Sequence, residues 1–211
     1  MLQKLDTGKV NGPDAISARM LKHTDSAIAP SVTELFNLSI RTGQLPKDWK
    51  VSYVVPIPKR PGAKSPSDFW PISLLSILSK VLERHFHMLI SDHFAEHHPI
   101  SNCQWGFQPG KSALSALIGT THDWLQQLER GNQIGAIFFD FEKAFDRVPH
   151  QLLISKLMGL GLDPCIMTWL HNYLAYRRQS VVVNGATSDS SRYLRSSSGL
   201  NFGTAPVSCL Y

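Results

Sequence analysis

A chain of 211 residues with 43% hydrophobic and 18% charged side chains can bury one substantial core or two small ones, which excludes a disordered tail or a fibrous protein. Its net charge of +5 and pI near 9.2 permit a polyanionic partner, while Cys103, Cys165 and Cys209, far apart and without a Cys-x-x-Cys pair, give neither a disulfide framework nor a thiolate zinc site. The opening Met1-Leu2-Gln3-Lys4-Leu5-Asp6 has no apolar signal core and no apolar run reaches the ~20 residues that span a bilayer, so the expected location is intracellular, in cytoplasm or nucleus, not secreted and with no membrane partner.

In chain order, Gly12-Pro13-Asp14 leads into a short helix with Ile16 and Met20 on one side. A second helix is predicted from about Ala27, with Ile28, Val32, Leu35, Phe36 and Ile40 as its stripe and Gly43 placed to end it. From Trp49 the pattern alternates. Val51, Tyr53, Val55 and Ile57 predict one face of a half-buried strand, Pro58 to Lys64 a basic turn, and Phe69 to Ser73 the returning strand. The cations at such a tip are either solvated or pressed against phosphates.

Ile72 to about Phe94 predicts a long amphipathic helix through Leu75, Leu78, Leu82, Phe86 and Leu89. Its final turns, His93-Phe94-Ala95-Glu96-His97, fit the H-x-x-E-H pattern of inverted zinc peptidases. With nine histidines in the chain and Pro99 breaking the helix just beyond, chance recurrence at a helix end is the plainer account. Gln104 to Ser112 is a glycine-rich turn ending in Gly110-Lys111-Ser112. Only three residues separate Gly106 from Gly110, instead of the four of a phosphate loop. A packing helix follows from Ser112 to Arg130, with Leu114, Leu117, Ile118, Leu125 and Leu128 on its apolar face.

The central stretch runs from Ile134 to His150. Ile134, Ala136, Ile137, Phe138 and Phe139 predict a strand buried on both faces, which ends on Asp140. Pro149 suits the first turn of a helix bearing Leu152, Leu153 and Leu157. From the residues alone, Asp140 is either a turn residue or a rigidly held metal ligand, and Asp146 an acceptor for helix N–H groups. Asp163-Pro164 then caps a helix with Ile166, Trp169, Leu170 and Tyr173; Arg177 to Val181 predicts a strand and Asn184-Gly185 a tight hairpin turn. After Asp146, Arg147, Lys156, Arg177, Arg178, Arg192 and Arg195 outnumber Asp163 and Asp189, which makes a basic face, solvated or bound to polyanion.

Phe139-Asp140-Phe141-Glu142-Lys143-Ala144-Phe145-Asp146-Arg147-Val148-Pro149-His150 closely resembles the first metal-binding motif of the reverse transcriptases of non-LTR (LINE-like) retrotransposons. The likeness extends in the right order from Gly12 to Gly203. Gly12 to Leu21 is similar to the extension before the fingers; Val54 to Lys59 and Pro71 to Ser76 to two fingers motifs; Lys80 and Glu83 to a Lys-x-x-Glu of the family; Gln104 to Ser112 to its template-side segment; Arg177, Gln179 and Val181 to its Arg-x-Gln-x-Val.

The resemblance implies an α+β right-hand polymerase: a helical N-terminal extension over 1–48, fingers over 49–130, and a palm from 131 to 211, a split β-α-β sheet with packed helices, left incomplete at its C-terminal end. It implies Asp140 as the ligand of catalytic Mg²⁺, Lys59, Phe145 and Gly203 as nucleotide-binding residues, with Phe145 excluding a 2′-hydroxyl, and Gly106, Phe107 and Gly110 along the template. The implied partners are an RNA template, a DNA primer and deoxynucleoside triphosphates; the oligomeric state stays open.

Four departures accompany it. Trp70 replaces an arginine that grips the triphosphate, and an indole has one neutral donor where the arginine offers a charged fork. Gln108 replaces a second arginine, Asn201-Phe202 replaces a Pro-Gln pair, and no Tyr-x-Asp-Asp string occurs in the 211 residues. A two-metal site with one carboxylate is under-liganded, so the expectation is a reverse transcriptase fragment inactive alone, poorly soluble or partly unfolded, with a non-catalytic RNA- or DNA-binding remnant as the alternative.

Overall fold

The computed structural model describes residues 1–141, 144 and 147–192. Ser17 opens α1 (Ala18–His23) by accepting the Met20 N–H at 3.1 Å. Next comes α2 (Asp25–Thr42), which stops at Gly43, as predicted. There φ is +63°, and a Cβ would lie 2.5 Å from the Thr168 Cγ2, so conformation and space both demand glycine. Strands β1 (Val51–Pro58) and β2 (Phe69–Leu74) follow, then α3 (Ile77–His97), α4 (Ala113–Glu129), α5 (His150–Gly159), α6 (Pro164–Leu174), β3 (Arg178–Val183), β4 (Ala186–Thr187) and β5 (Ser191–Arg192).

The strands form one small mixed sheet in the order β2-β1-β3-β4, with β5 also on β3. β1 pairs antiparallel with β2 and parallel with β3, so the long connection carrying α3 to α6 is the crossover that parallel pairing requires. Turn chemistry fixes the β3–β4 hairpin: Asn184 and Gly185 have φ of +50° and +82°, the two positive values that a tight primed turn needs.

Trp169 of α6, fully buried, joins three helices. Its ring stacks on Phe86 of α3 at 3.8 Å and on Tyr173 at 5.1 Å, and its N–H donates at 3.0 Å to Ser39 of α2, whose hydroxyl in turn donates to the Gln44 carbonyl. Leu78, Leu82, Ile90, Leu157 and Leu170 are buried in the same core. Truncating such a side chain to alanine costs ~3–5 kcal/mol.

Four sequence expectations need correction. In β1 the core takes Ser52 and Val54, whereas Val51, Tyr53 and Val55 are half-buried and Ile57 is exposed, because the side of the sheet packed on the helices is the other one. The long helix begins at Ile77, since Ile72 and Leu74 are paired with Val55 and Tyr53 and Ser76 caps the helix after them; Leu89 is consequently on the exposed side and Ile90 in the core. The α4 stripe has helical spacing, but Leu114, Leu117, Ile118, Leu125 and Leu128 all face water.

The largest correction concerns 134–139, which form no strand. Phe138 and Phe139 are 85% and 88% exposed. A strand needs a neighbour for its N–H and C=O groups, and every described ladder joins other segments. An apolar run signals a demand for burial; it does not supply the surface that meets it.

Candidate nucleic-acid site

The β1–β2 hairpin presents the first group of candidate residues. Its turn is built on Asp68, whose carboxylate accepts the Ser65 and Lys64 N–H groups at 3.1 and 3.3 Å and the Arg60 guanidinium at 3.0 Å. The two backbone bonds hold this carboxyl below the usual range; desolvation opposes them, and Arg60 and the charge of Lys59 add smaller downward effects. Lys59 is tied in as well: its N–H donates to the Asp68 carbonyl and its ammonium to that of Ser67, each at 2.8 Å. The tip is therefore an ordered cationic loop. Behind it, Trp70 stands 54% exposed on β2, opposite Ile57.

The second group lies between α3 and α4. Lys111 folds back to donate to the Asn102 and Gln104 carbonyls at 3.1 and 3.0 Å, and its ammonium sits 5.4 Å from the Trp105 ring centre. It braces the loop from within. Phe107 and Gly110 both have positive φ, +60° and +75°, and Phe107 projects outward beside Gly106.

Asp140 is exposed at the end of the irregular apolar segment. Glu142, Phe145, Asp146 and the stretch holding Gly199 to Gly203 lie outside the described residues. A carboxylate is the right donor for a hard cation, but among the described residues no cluster of three His, Cys, Asp or Glu side chains could hold a metal ion. The donor type fits Mg²⁺ and the donor number does not, so the described residues complete no such site.

The zinc pattern is not assembled as a site. His93 and His98 both donate Nε2–H to the Leu160 carbonyl at 2.9 Å, and His97 stacks on His93 at 4.6 Å with its Nδ1 on the His93 carbonyl. A carbonyl only accepts, so these ring nitrogens carry protons and fasten the end of α5 to the end of α3.

Sequence reasoning misassigned one basic residue. Arg177, counted in the basic face, is 6% exposed: it donates to the Tyr173 carbonyl at 3.2 Å and lies over the Tyr173 ring. It faces the buried carboxyl of Glu83, which also accepts from the Ser79 hydroxyl at 2.7 Å and from Tyr173. Burial pushes the Glu83 carboxyl up, opposed by those hydrogen bonds and by Arg177 and Lys80; burial likewise raises Tyr173 and lowers Lys80. The Lys80-x-x-Glu83 spacing on a core-facing helix was the available signal.

Residues 57–211 match the reverse transcriptase (RNA-dependent DNA polymerase) family, and the chain belongs to it. Within that family its relatives are the polymerases of non-LTR retrotransposons. It is 33% identical over 189 residues to the probable RNA-directed DNA polymerase from transposon BS of Drosophila melanogaster, covering 89% of this chain and 21% of that protein. It is 30% identical to the RNA-directed DNA polymerase from mobile element jockey of Drosophila funebris (89% and 20%), and 27% identical to the Pol polyprotein from retrotransposable element R2 of Nasonia vitripennis (91% and 18%). The chain thus spans about a fifth of the length of these relatives. Among the described residues no helix is long and apolar enough to cross a membrane.

Proposed function

We propose that these residues act in template-directed DNA synthesis on RNA, as the fingers and the opening of the palm of a reverse transcriptase from a non-LTR retrotransposon. The observation that carries the reading is the family match over 57–211 with the Phe139-to-His150 string inside it. On this reading 1–48 is the extension, 49–130 the fingers and 131–211 palm; Lys59, Phe145 and Gly203 belong to the nucleotide pocket and Gly106, Phe107 and Gly110 to the template track. Asp140 supplies one carboxylate toward Mg²⁺, and the others come from residues outside those described. The work is done where RNA template and deoxynucleotides meet, in cytoplasm or nucleus.

A second reading, RNA or DNA binding without synthesis, is favoured by Trp70, Gln108 and Asn201-Phe202, each of which removes a family polar contact. Primer extension on a primed RNA template with Mg²⁺ separates the two, using the chain together with any downstream part of its reading frame. Extension that Asp140→Asn abolishes supports synthesis. Salt-sensitive RNA binding with no extension supports the second reading, and extension that survives Asp140→Asn rejects Asp140 as the metal ligand.

A further inference from the structure

Trp70 is a large aromatic ring held open to water on a rigid strand. Its direct cross-strand neighbour is Ile57, and Ile72 lies two residues along the same face, both also exposed. The three make a continuous apolar surface on the β1–β2 hairpin. An exposed indole in that position contributes little to the core, because the buried residues of β1, Ser52 and Val54, lie on the other face of the sheet.

At the same end of the hairpin the charge is positive. Lys59, Arg60 and Lys64 share the loop with a single carboxylate, Asp68, which three hydrogen bonds, the Arg60 one also an ion pair, already hold within the turn. A flat apolar face next to an ordered cationic loop matches a strand that carries bases on one side and phosphates on the other: π-faces stack on aromatics whatever the base, and phosphates follow the cations. A folded polypeptide surface would not need both features in that order.

We propose that the Trp70 face is a stacking platform for one base of a single-stranded RNA whose backbone runs past Lys59, Arg60 and Lys64. This rests on the nucleic-acid reading above and deepens it: the position where the family holds phosphate by charge holds a base by stacking in this chain. Recognition there is tolerant of sequence and only weakly sensitive to salt, while the neighbouring loop carries the salt dependence.

The test compares the 211-residue chain and its Trp70→Ala and Trp70→Phe variants on two probes of equal length and charge, a uridine homopolymer and an abasic ribose-phosphate strand. Trp70→Ala is expected to weaken homopolymer binding about 5- to 150-fold, to leave abasic binding unchanged and to keep the slope of affinity against salt. Trp70→Phe retains most of the affinity, which also shows that the hairpin still folds. Equal loss on both probes, no loss on either, or a Trp70→Phe variant as weak as Trp70→Ala overturns the proposal. So does a Trp70 effect seen only with a free deoxynucleoside triphosphate, which would assign the ring to the nucleotide. In those cases the wild-type chain still binds RNA and the wider reading stands; a wild-type chain that binds neither probe rejects both.

Discussion

Glu83 and Asp68 are carboxylates of opposite behaviour in one chain, and their environments give opposite pH signs. Glu83 is fully buried, and its carboxyl is raised above the ordinary 4.5. Between that value and the raised one, the folded chain keeps a proton that the unfolded chain has released, so stability is greatest below 4.5 and falls as pH rises through the window. Replacing Glu83 with Gln keeps an acceptor for Ser79 and Tyr173 and removes the titration, so thermal unfolding from acid to neutral pH is expected to lose this slope. Glu83→Ala leaves the buried Ser79 and Tyr173 hydroxyls without their acceptor and is expected to cost ~1–3 kcal/mol in urea titrations. Asp68 is half-buried and held below 3.8. Its contribution is present above 3.8 and is lost as pH falls through the depressed value. Lower amide protection factors at Lys64 and Ser65 in acid, reproduced at neutral pH by Asp68→Asn, are the expected outcome; unchanged protection in the variant would show that the turn stands without the carboxylate.

Elements whose signals are local were legible in the sequence, and those that depend on a neighbour were not. Gly43, Asn184-Gly185 and Asp163-Pro164 each set backbone conformation by their own chemistry; Asp163 caps α6 by accepting the Cys165 and Ile166 N–H groups at 2.7 and 3.4 Å. The apolar spacing of α4 and of 134–139 was equally clear, yet burial requires a second surface, and that information is not in the segment itself. For the candidate site, the hairpin lysine and the exposed Trp70 were readable as positions, while Lys111 as an internal brace and Arg177 as a buried cation depended on tertiary contacts. One contact between elements was invisible in the pattern: a Cβ on Gly12 would come within 2.5 Å of the Leu75 carbonyl group and 2.6 Å of the Ser76 nitrogen. Backbone atoms cannot swing aside as a side chain would. Gly12→Ala should therefore lift the N-terminal segment from the junction of β2 and α3 at a cost of ~1–3 kcal/mol. Limited proteolysis should then cut before α1 faster than in the wild type, and an unchanged cleavage rate would show that the segment is not clamped there.

At the scale of the whole molecule, the covered core of α2, α3, α5 and α6 contrasts with uncovered apolar surfaces beyond the Trp70 face, notably the α4 stripe and the run from Ile137 to Phe141. Contiguous exposed apolar area on this scale marks contact with something else and makes an isolated chain prone to self-association. The 211 residues alone are accordingly expected to bind a hydrophobic dye and to associate as concentration rises. Substitution at Phe138 and Phe139 decides whether that surface is open in the isolated chain. With both rings more than four-fifths in water, replacing each by Ser removes no packing, so stability should stay within about 0.5 kcal/mol of wild type while dye binding and association fall. If the run were instead a strand buried on both faces, each change would hollow out a core and cost ~3–5 kcal/mol. Urea midpoints of the two variants separate these outcomes by several-fold, because an exposed ring and a buried ring of the same sequence differ only in what the rest of the molecule supplies.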